Sequence, residues 1–244
     1  MGVFAGPRCI DDNLIFSLDA ANTKSYPGSG SSVSDLSNGN HTGTLFNSAG
    51  YESTNGGVFT FNGTNQYIRL PNVAKIGAQN STVTVELAFD LSSGSGGFLV
   101  TNARGSANFG HGWYYCSNST CYYSMHSRSG APYEYRCTAS SAAFSHVNTT
   151  GLNLISYSVD IGSSSMDCTF NINGYSETIT NSDLAFVGTQ TPSETNIDIG
   201  RRNNHTYGDT YSDVKIALVR AYNINLSEEE QAQNFEALRG RFGL

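Results

Sequence analysis

Residues 82–91, Thr82-Val83-Thr84-Val85-Glu86-Leu87-Ala88-Phe89-Asp90-Leu91, alternate between an apolar and a mostly polar set without a break. Val83, Val85, Leu87, Phe89 and Leu91 share one side only if the side chains alternate with period two, as in a strand that buries one face. A helix would scatter those five residues around its circumference. Glu86 then falls on the opposite side, which is read as the solvent side of a strand tolerant of an edge position.

The same period recurs along the chain, and further strands are expected at residues 14–19, 58–62, 67–70, 97–102, 112–116, 121–127, 133–138, 153–161, 167–172, 175–180, 196–200 and 216–221. Asn173-Gly174 joins two of them and favours the two-residue turn whose twist matches paired strands. A second hairpin is near-symmetric, with Trp113-Tyr114-Tyr115-Cys116 and Cys121-Tyr122-Tyr123 flanking four loop residues. Near the C-terminus Ser227 and Glu230 have capping-box spacing, Ala232, Phe235 and Leu238 fall near one face, and Gly240 is placed to end the helix. Many short strands, one helix and no repeat predict an all-β sandwich or jelly roll of two antiparallel sheets. Residues 1–12 precede the first strand and are read as an N-terminal arm, with residues 13–244 forming one domain.

Composition narrows the function. Charged residues make up only 14% of the chain, while Ser, Thr and Asn number 77 of 244, with 14 Tyr and 13 Phe to build a core. The net charge of −7 and the scattered Lys and Arg argue against nucleic acid, which needs clustered cations. No apolar run approaches the roughly 20 residues of a membrane helix. The first residues carry neither a basic start nor an apolar stretch, so a secretory signal is not expected and synthesis in a cytosol is.

Four stretches toward the two ends carry a resemblance. Leu14-Ile15-Phe16-Ser17-Leu18-Asp19-Ala20-Ala21-Asn22-Thr23-Lys24-Ser25-Tyr26-Pro27-Gly28-Ser29-Gly30 and Gly57-Val58-Phe59-Thr60-Phe61-Asn62-Gly63-Thr64-Asn65-Gln66-Tyr67-Ile68 open the chain. Lys215-Ile216-Ala217-Leu218-Val219-Arg220-Ala221-Tyr222 and Ala237-Leu238-Arg239-Gly240-Arg241-Phe242-Gly243-Leu244 close it. Together they resemble laminin-G-like, concanavalin A-like domains of marine tailed-bacteriophage (cyanophage-like) virion proteins. The resemblance implies a jelly roll whose concave face binds glycans in some members and is structural in others. It further implies a non-catalytic protein on the virion surface, made in the host cytoplasm, as a capsid decoration, fibre or appendage. Its partners would be other virion proteins, with self-association or docking through residues 1–12. A carbohydrate-binding module recognising a host or environmental polysaccharide is the alternative.

Many relatives carry Asp where this chain has Asn62, Gln66 and Ala217, so the calcium site the resemblance suggests is reduced to Asn62, Asn65 and Asp213. No other cofactor is expected. Catalysis is not expected either, because the hydrolases of this fold place acids as Glu-x-Asp-x-Glu, and here Ala88 stands between Glu86 and Asp90. The aromatic concentration from Trp113 to Tyr135 is the strongest candidate for contact with a glycan or a protein. Trp113, Tyr115, Tyr123, His126, Arg128, Tyr133 and Tyr135 are its named members, and plain core packing is the competing reading. Alternation along the two strands means that half of the tyrosines should fill the core. Cys116 and Cys121 flank the hairpin loop and are a possible disulfide pair, reduced in a cytosol or closed after release into an oxidising medium.

Overall fold

The computed structural model describes residues 7–73, 76, 80–91, 96–102, 111–126, 134–182, 195–203 and 209–244. Its strands are β1 (Leu14–Asp19), β2 (Ser32–Ser34), β3 (Thr42–Phe46), β4 (Gly50–Glu52), β5 (Val58–Asn62), β6 (Tyr67–Leu70), β7 (Ser81–Asp90), β8 (Gly96–Asn102) and β9 (His111–Ser117). They continue as β10 (Cys121–His126), β11 (Glu134–Thr138), β12 (Leu152–Ile161), β13 (Met166–Ile172), β14 (Tyr175–Asn181), β15 (Ile197–Ile199), β16 (Arg201–Arg202), β17 (Thr210–Tyr211) and β18 (Asp213–Tyr222). The helices are α1 (Ser141–Phe144) and α2 (Glu228–Phe242).

The strands form a jelly-roll sandwich. Sheet I runs β14-β13-β12-β7-β18, and the free edge of β18 is shared by β5, which pairs β4, and by β1. Sheet II runs β2-β3-β6-β15-β8-β9-β10-β11. Among the described residues all the pairings are antiparallel, and the sheets meet through one bridge, Asp213 to Gly96. Between them lies the core, with Val85, Leu87, Phe89, Tyr157 and Phe170 facing Leu70, Leu99, Val100, Tyr114 and Tyr123.

The inward set of β7 is the set the alternation predicts. The outward set differs from expectation, because β7 is central, paired with β12 and β18 along its length, and Glu86 is buried. A second apolar layer covers that side. Val58, Ala88, Leu152, Leu154 and Leu218 pack beneath Leu238 and Phe242 of α2. The helix begins as predicted, with the Ser227 hydroxyl accepting from the Glu230 N–H at 3.2 Å and Glu230 Oε2 accepting from the Ser227 N–H at 2.8 Å. Its buried stripe is Gln231, Asn234, Leu238 and Phe242, and Ala232 is exposed. Gly240 does not end it; Gly243, at φ 73°, does.

Residues 8–10 of the N-terminal segment lie against this helix. Gln233 Nε2 donates to the Arg8 carbonyl at 2.7 Å, and the Ile10 N–H donates to Asn234 Oδ1 at 2.7 Å. Residues 1–6 lie outside the described residues.

The Asn173-Gly174 hairpin forms between β13 and β14, both residues having positive φ. Gly174 is also pressed by the helix, since a Cβ there would lie 2.8 Å from Phe235 Cε1. Gly174→Ala is therefore expected to lower stability by about 1–2 kcal/mol from backbone strain alone, and further from the contact. Chemical denaturation of Gly174→Ala with and without Phe235→Ala separates the two effects: the second substitution recovers only the contact part.

Candidate functional site: the outer face of sheet II

With α2 and the N-terminal segment packed on sheet I, the outer face of sheet II is where outward side chains are available. Register decides which they are. Cys116 stands directly opposite Cys121, so Tyr115 faces Tyr122 and Tyr114 faces Tyr123. Cys116 and Cys121 are joined as a disulfide, with Cα atoms 4.1 Å apart.

Tyr114, Tyr123 and Tyr135 point inward and are buried. Tyr123 and Tyr135, named from sequence as contact residues, therefore belong to the core: alternation counted from the disulfide sends them there. Tyr114 packs 5.0 Å from Tyr123 and 5.4 Å from Tyr157, ring centre to ring centre. Burial raises the pKa of both Tyr114 and Tyr123, so neither hydroxyl ionises in ordinary conditions. Cys137 and Cys168 are buried nearby; desolvation first, and the Asp167 charge second, push the Cys137 thiol up to about 12.

The outward partners form a different set. Tyr115 stacks on Tyr122 at 4.6 Å with planes 13° apart, and Phe98 meets Tyr115 edge-on at 5.2 Å. The exposed Arg136 on β11 lays its guanidinium 3.9 Å from the Tyr122 ring centre, and Arg202 lies 4.5 Å from that of Phe98. An arginine thus closes each end of a three-ring row. Tyr115 is the ring that keeps part of its surface open, since Phe98 and Tyr122 are nearly covered. Trp113 and His126 lie on β9 and β10, paired in register with Ser124 and His111. Arg128 and Tyr133 lie outside the described residues.

A second cluster, unannounced by the sequence reading, occupies the same face across β6 and β15. Asp198, fully buried, accepts from Arg69 Nε at 2.7 Å and Nη2 at 2.9 Å, and from Arg201 Nε at 3.0 Å and Nη2 at 2.7 Å. Arg201 also donates to Asp209 at 3.0 Å and lies 3.9 Å from the centre of the Tyr67 ring. Phe46 stacks on the same Tyr67 ring at 4.6 Å, with planes 1° apart. Burial raises the Tyr67 pKa, against the lowering pull of Arg201 and Arg69. The β16–β17 ribbon thus delivers Arg201 to one aromatic group and Arg202 to the other. The signals available in the sequence were the adjacent Arg201-Arg202 pair and an Asp between two isoleucines on a short strand.

The reduced calcium site of the sequence reading has another occupation. Asn62 Oδ1 accepts the N–H groups of Thr64, Asn65 and Gln66 at 3.0, 3.2 and 3.4 Å, and Asn62 Nδ2 donates to Asn65 Oδ1 at 3.3 Å. These amides close the turn between β5 and β6, and Asp213 stands opposite Asn62. Among the described residues no three His, Cys, Asp or Glu side chains converge.

Glu86, the nearest approach to a catalytic acid, is sequestered under α2. Asn234 Nδ2 donates to its Oε1 at 2.8 Å, the Tyr222 hydroxyl lies 3.2 Å from its Oε2, and Arg220 stands opposite on β18. Desolvation raises its pKa above 4.5, against Arg220, Asn234 and Tyr222, which lower it. From pH 4.5 up to that raised value the folded chain holds a proton that the unfolded chain has released. Stability therefore falls as pH rises through that window and is level above it, as far as this group is concerned. Glu86→Gln is expected to flatten that slope in denaturant midpoints taken from about pH 4.5 to neutrality.

No protein-family model matches the chain, and no curated protein does. Solved structures do resemble it. The botulinum neurotoxin serotype D ligand binding domain in complex with N-acetylneuraminic acid superposes with a TM-score of 0.64 at 14% identity, over 93% of this chain and 51% of that one. The binding domain of botulinum neurotoxin DC in complex with rat synaptotagmin II gives 0.63 at 11%, over 94% and 52%. The receptor binding domain of botulinum neurotoxin type G gives 0.61 at 11%, over 92% and 51%. The chain spans about half the length of these structures, and at such identities the likeness establishes a shared β-sandwich fold.

Proposed function

We propose that this chain is a non-catalytic binding module that recognises a carbohydrate through the outer face of sheet II. The observation that carries this is the arginine-closed row of Phe98, Tyr115 and Tyr122 on a face that the helix does not cover. An aromatic face accepts the apolar C–H side of a sugar ring, and guanidinium groups fixed by stacking offer directed donors to hydroxyl or carboxylate oxygens. The structures of similar fold are binding domains, one of them holding N-acetylneuraminic acid and another synaptotagmin II, which supports a binding role over a catalytic one. Burial of Glu86 beneath α2 agrees with that reading, because it takes the nearest candidate acid away from any external substrate.

The position of the module on a tailed-phage virion is the finer part of the proposal, supported by the residues at the two ends of the chain. There it would face host or environmental polysaccharide. A glycan array probed with the folded chain tests the binding role: retention of at least one glycan class without turnover is expected, and silence across the array overturns it.

A further inference from the structure

Where β7 begins and β18 ends, the sandwich opens into a cavity of about 560 Å³. That lies within the range of roughly 300–1,000 Å³ typical of small-ligand sites. Its apolar lining includes Ile15 and Ile161, and its polar lining includes Asn80, Thr82, Asp160 and Asn223. Thr82 and Asp160 are cross-strand neighbours on β7 and β12, so their side chains stand together on one side of sheet I. The side chains of Asn80, Thr82, Asp160 and Asn223 make no hydrogen bond or ion pair with other described residues. Asp160 is the one ionisable group among the described lining residues.

The cavity is distinct from the aromatic row. The ten residues of β7, at about 3.4 Å each, carry that strand roughly 30 Å from the cavity to the end near Gly96. Its chemistry is also opposite: arginines close the row, whereas a lone carboxylate with amides and a hydroxyl rims the cavity. We propose that this cavity is a second binding site, specific for a cationic sugar, that is, an amine-bearing pyranose. The ammonium pairs with Asp160, the hydroxyls meet Asn80, Thr82 and Asn223, and the C–H edge of the ring covers Ile15. Anionic sugars are excluded by the same carboxylate and by the chain's net charge of −7.

Amide chemical-shift titrations of the full chain with glucosamine, methyl glucoside and glucuronate test this. Glucosamine is expected to shift the amides of Thr82, Asp160, Ile161 and Asn223, and glucuronate to leave them in place. Asp160→Asn, at an exposed position with no partner among the described residues, should weaken glucosamine binding by up to about fivefold while methyl glucoside is unaffected. Arg239→Ala, on the exposed side of α2, should leave all three titrations unchanged. Absence of glucosamine shifts at those amides, equal affinity in Asp160→Asn, or glucuronate binding at the same amides would each overturn the proposal.

Discussion

Asp198→Ala is expected to lower the unfolding free energy by about 3–5 kcal/mol, the cost of stranding buried charge when one partner of an ion cluster is removed. Asp198 is wholly buried and takes four hydrogen bonds from Arg69 and Arg201. Arg201 is itself buried, its side chain only 7% exposed, and after the substitution it keeps Asp209, the face of Tyr67 and the Tyr211 side chain. The loss should be largest at low salt and should be accompanied by release of the β16–β17 ribbon, whose Arg201 is anchored there. Urea unfolding with a probe on Tyr211 reads both effects. A loss below about 1 kcal/mol, the usual worth of an exposed ion pair, would contradict the burial assigned to this cluster.

Tyr157→Ala is expected to cost a similar 3–5 kcal/mol, through the cavity left by a large buried ring. Tyr157 has no exposed surface, and its ring meets Tyr114 and Phe170 edge-on, each at 5.4 Å. It also ties the sheets together, since its hydroxyl donates to the Tyr115 carbonyl at 3.0 Å. The bulge between Phe98 and Val100 lies opposite that point, and a broken ladder leaves a strand carbonyl able to accept from a side chain. Tyr157→Phe keeps the ring and loses only this bond, so about 1 kcal/mol is expected. Equal losses for the two variants would mean that the bond, not the packing, dominates. Calorimetric melts of both proteins distinguish the cases.

Much of the architecture was readable because period two survives wherever one side of a strand is buried. β1, β5 and β6 appear at the predicted residues, and β7, β12 and β13 within a residue at either end. The capping box located α2 for the same reason: its signal is local. What escaped was set by tertiary context. β2, β3 and β4 are three to five residues long and rich in Ser, Thr and Gly, so they read as loop until their partners are known. The four-residue α1 depends on a distant partner, because Glu177 accepts from the Ser140 N–H at 2.6 Å and from its hydroxyl at 2.7 Å.

The site was legible in type and less so in membership. The tyrosine-rich hairpin was found, yet which tyrosines face outward depends on register. The pairing of Cys116 with Cys121 fixes that register and exchanges Tyr123 for Tyr122. Arg136 follows Tyr135 directly in the chain, and its stacking on Tyr122 makes it part of the surface. Phe98 and Arg202 come from segments far away in the chain, so neither the predicted strand at 97–102 nor the Arg201-Arg202 pair tied them to the tyrosine hairpin. Glu86 was misplaced because polar alternation reads identically under solvent and under a helix.

The central claim is that the outer face of sheet II is the ligand face. Isothermal titration of the best glycan from the array against the native chain, Tyr115→Ala, Arg136→Ala and the double variant tests it most directly. Arg239→Ala, on the exposed side of α2 where Arg239 pairs with Glu236, serves as the control. Tyr115→Ala is expected to weaken binding by about tenfold or more, as loss of a central aromatic contact does, and the double variant to abolish it. Arg239→Ala should bind like the native chain. Unchanged affinity in the double variant, with its fold intact, would contradict the assignment of this face.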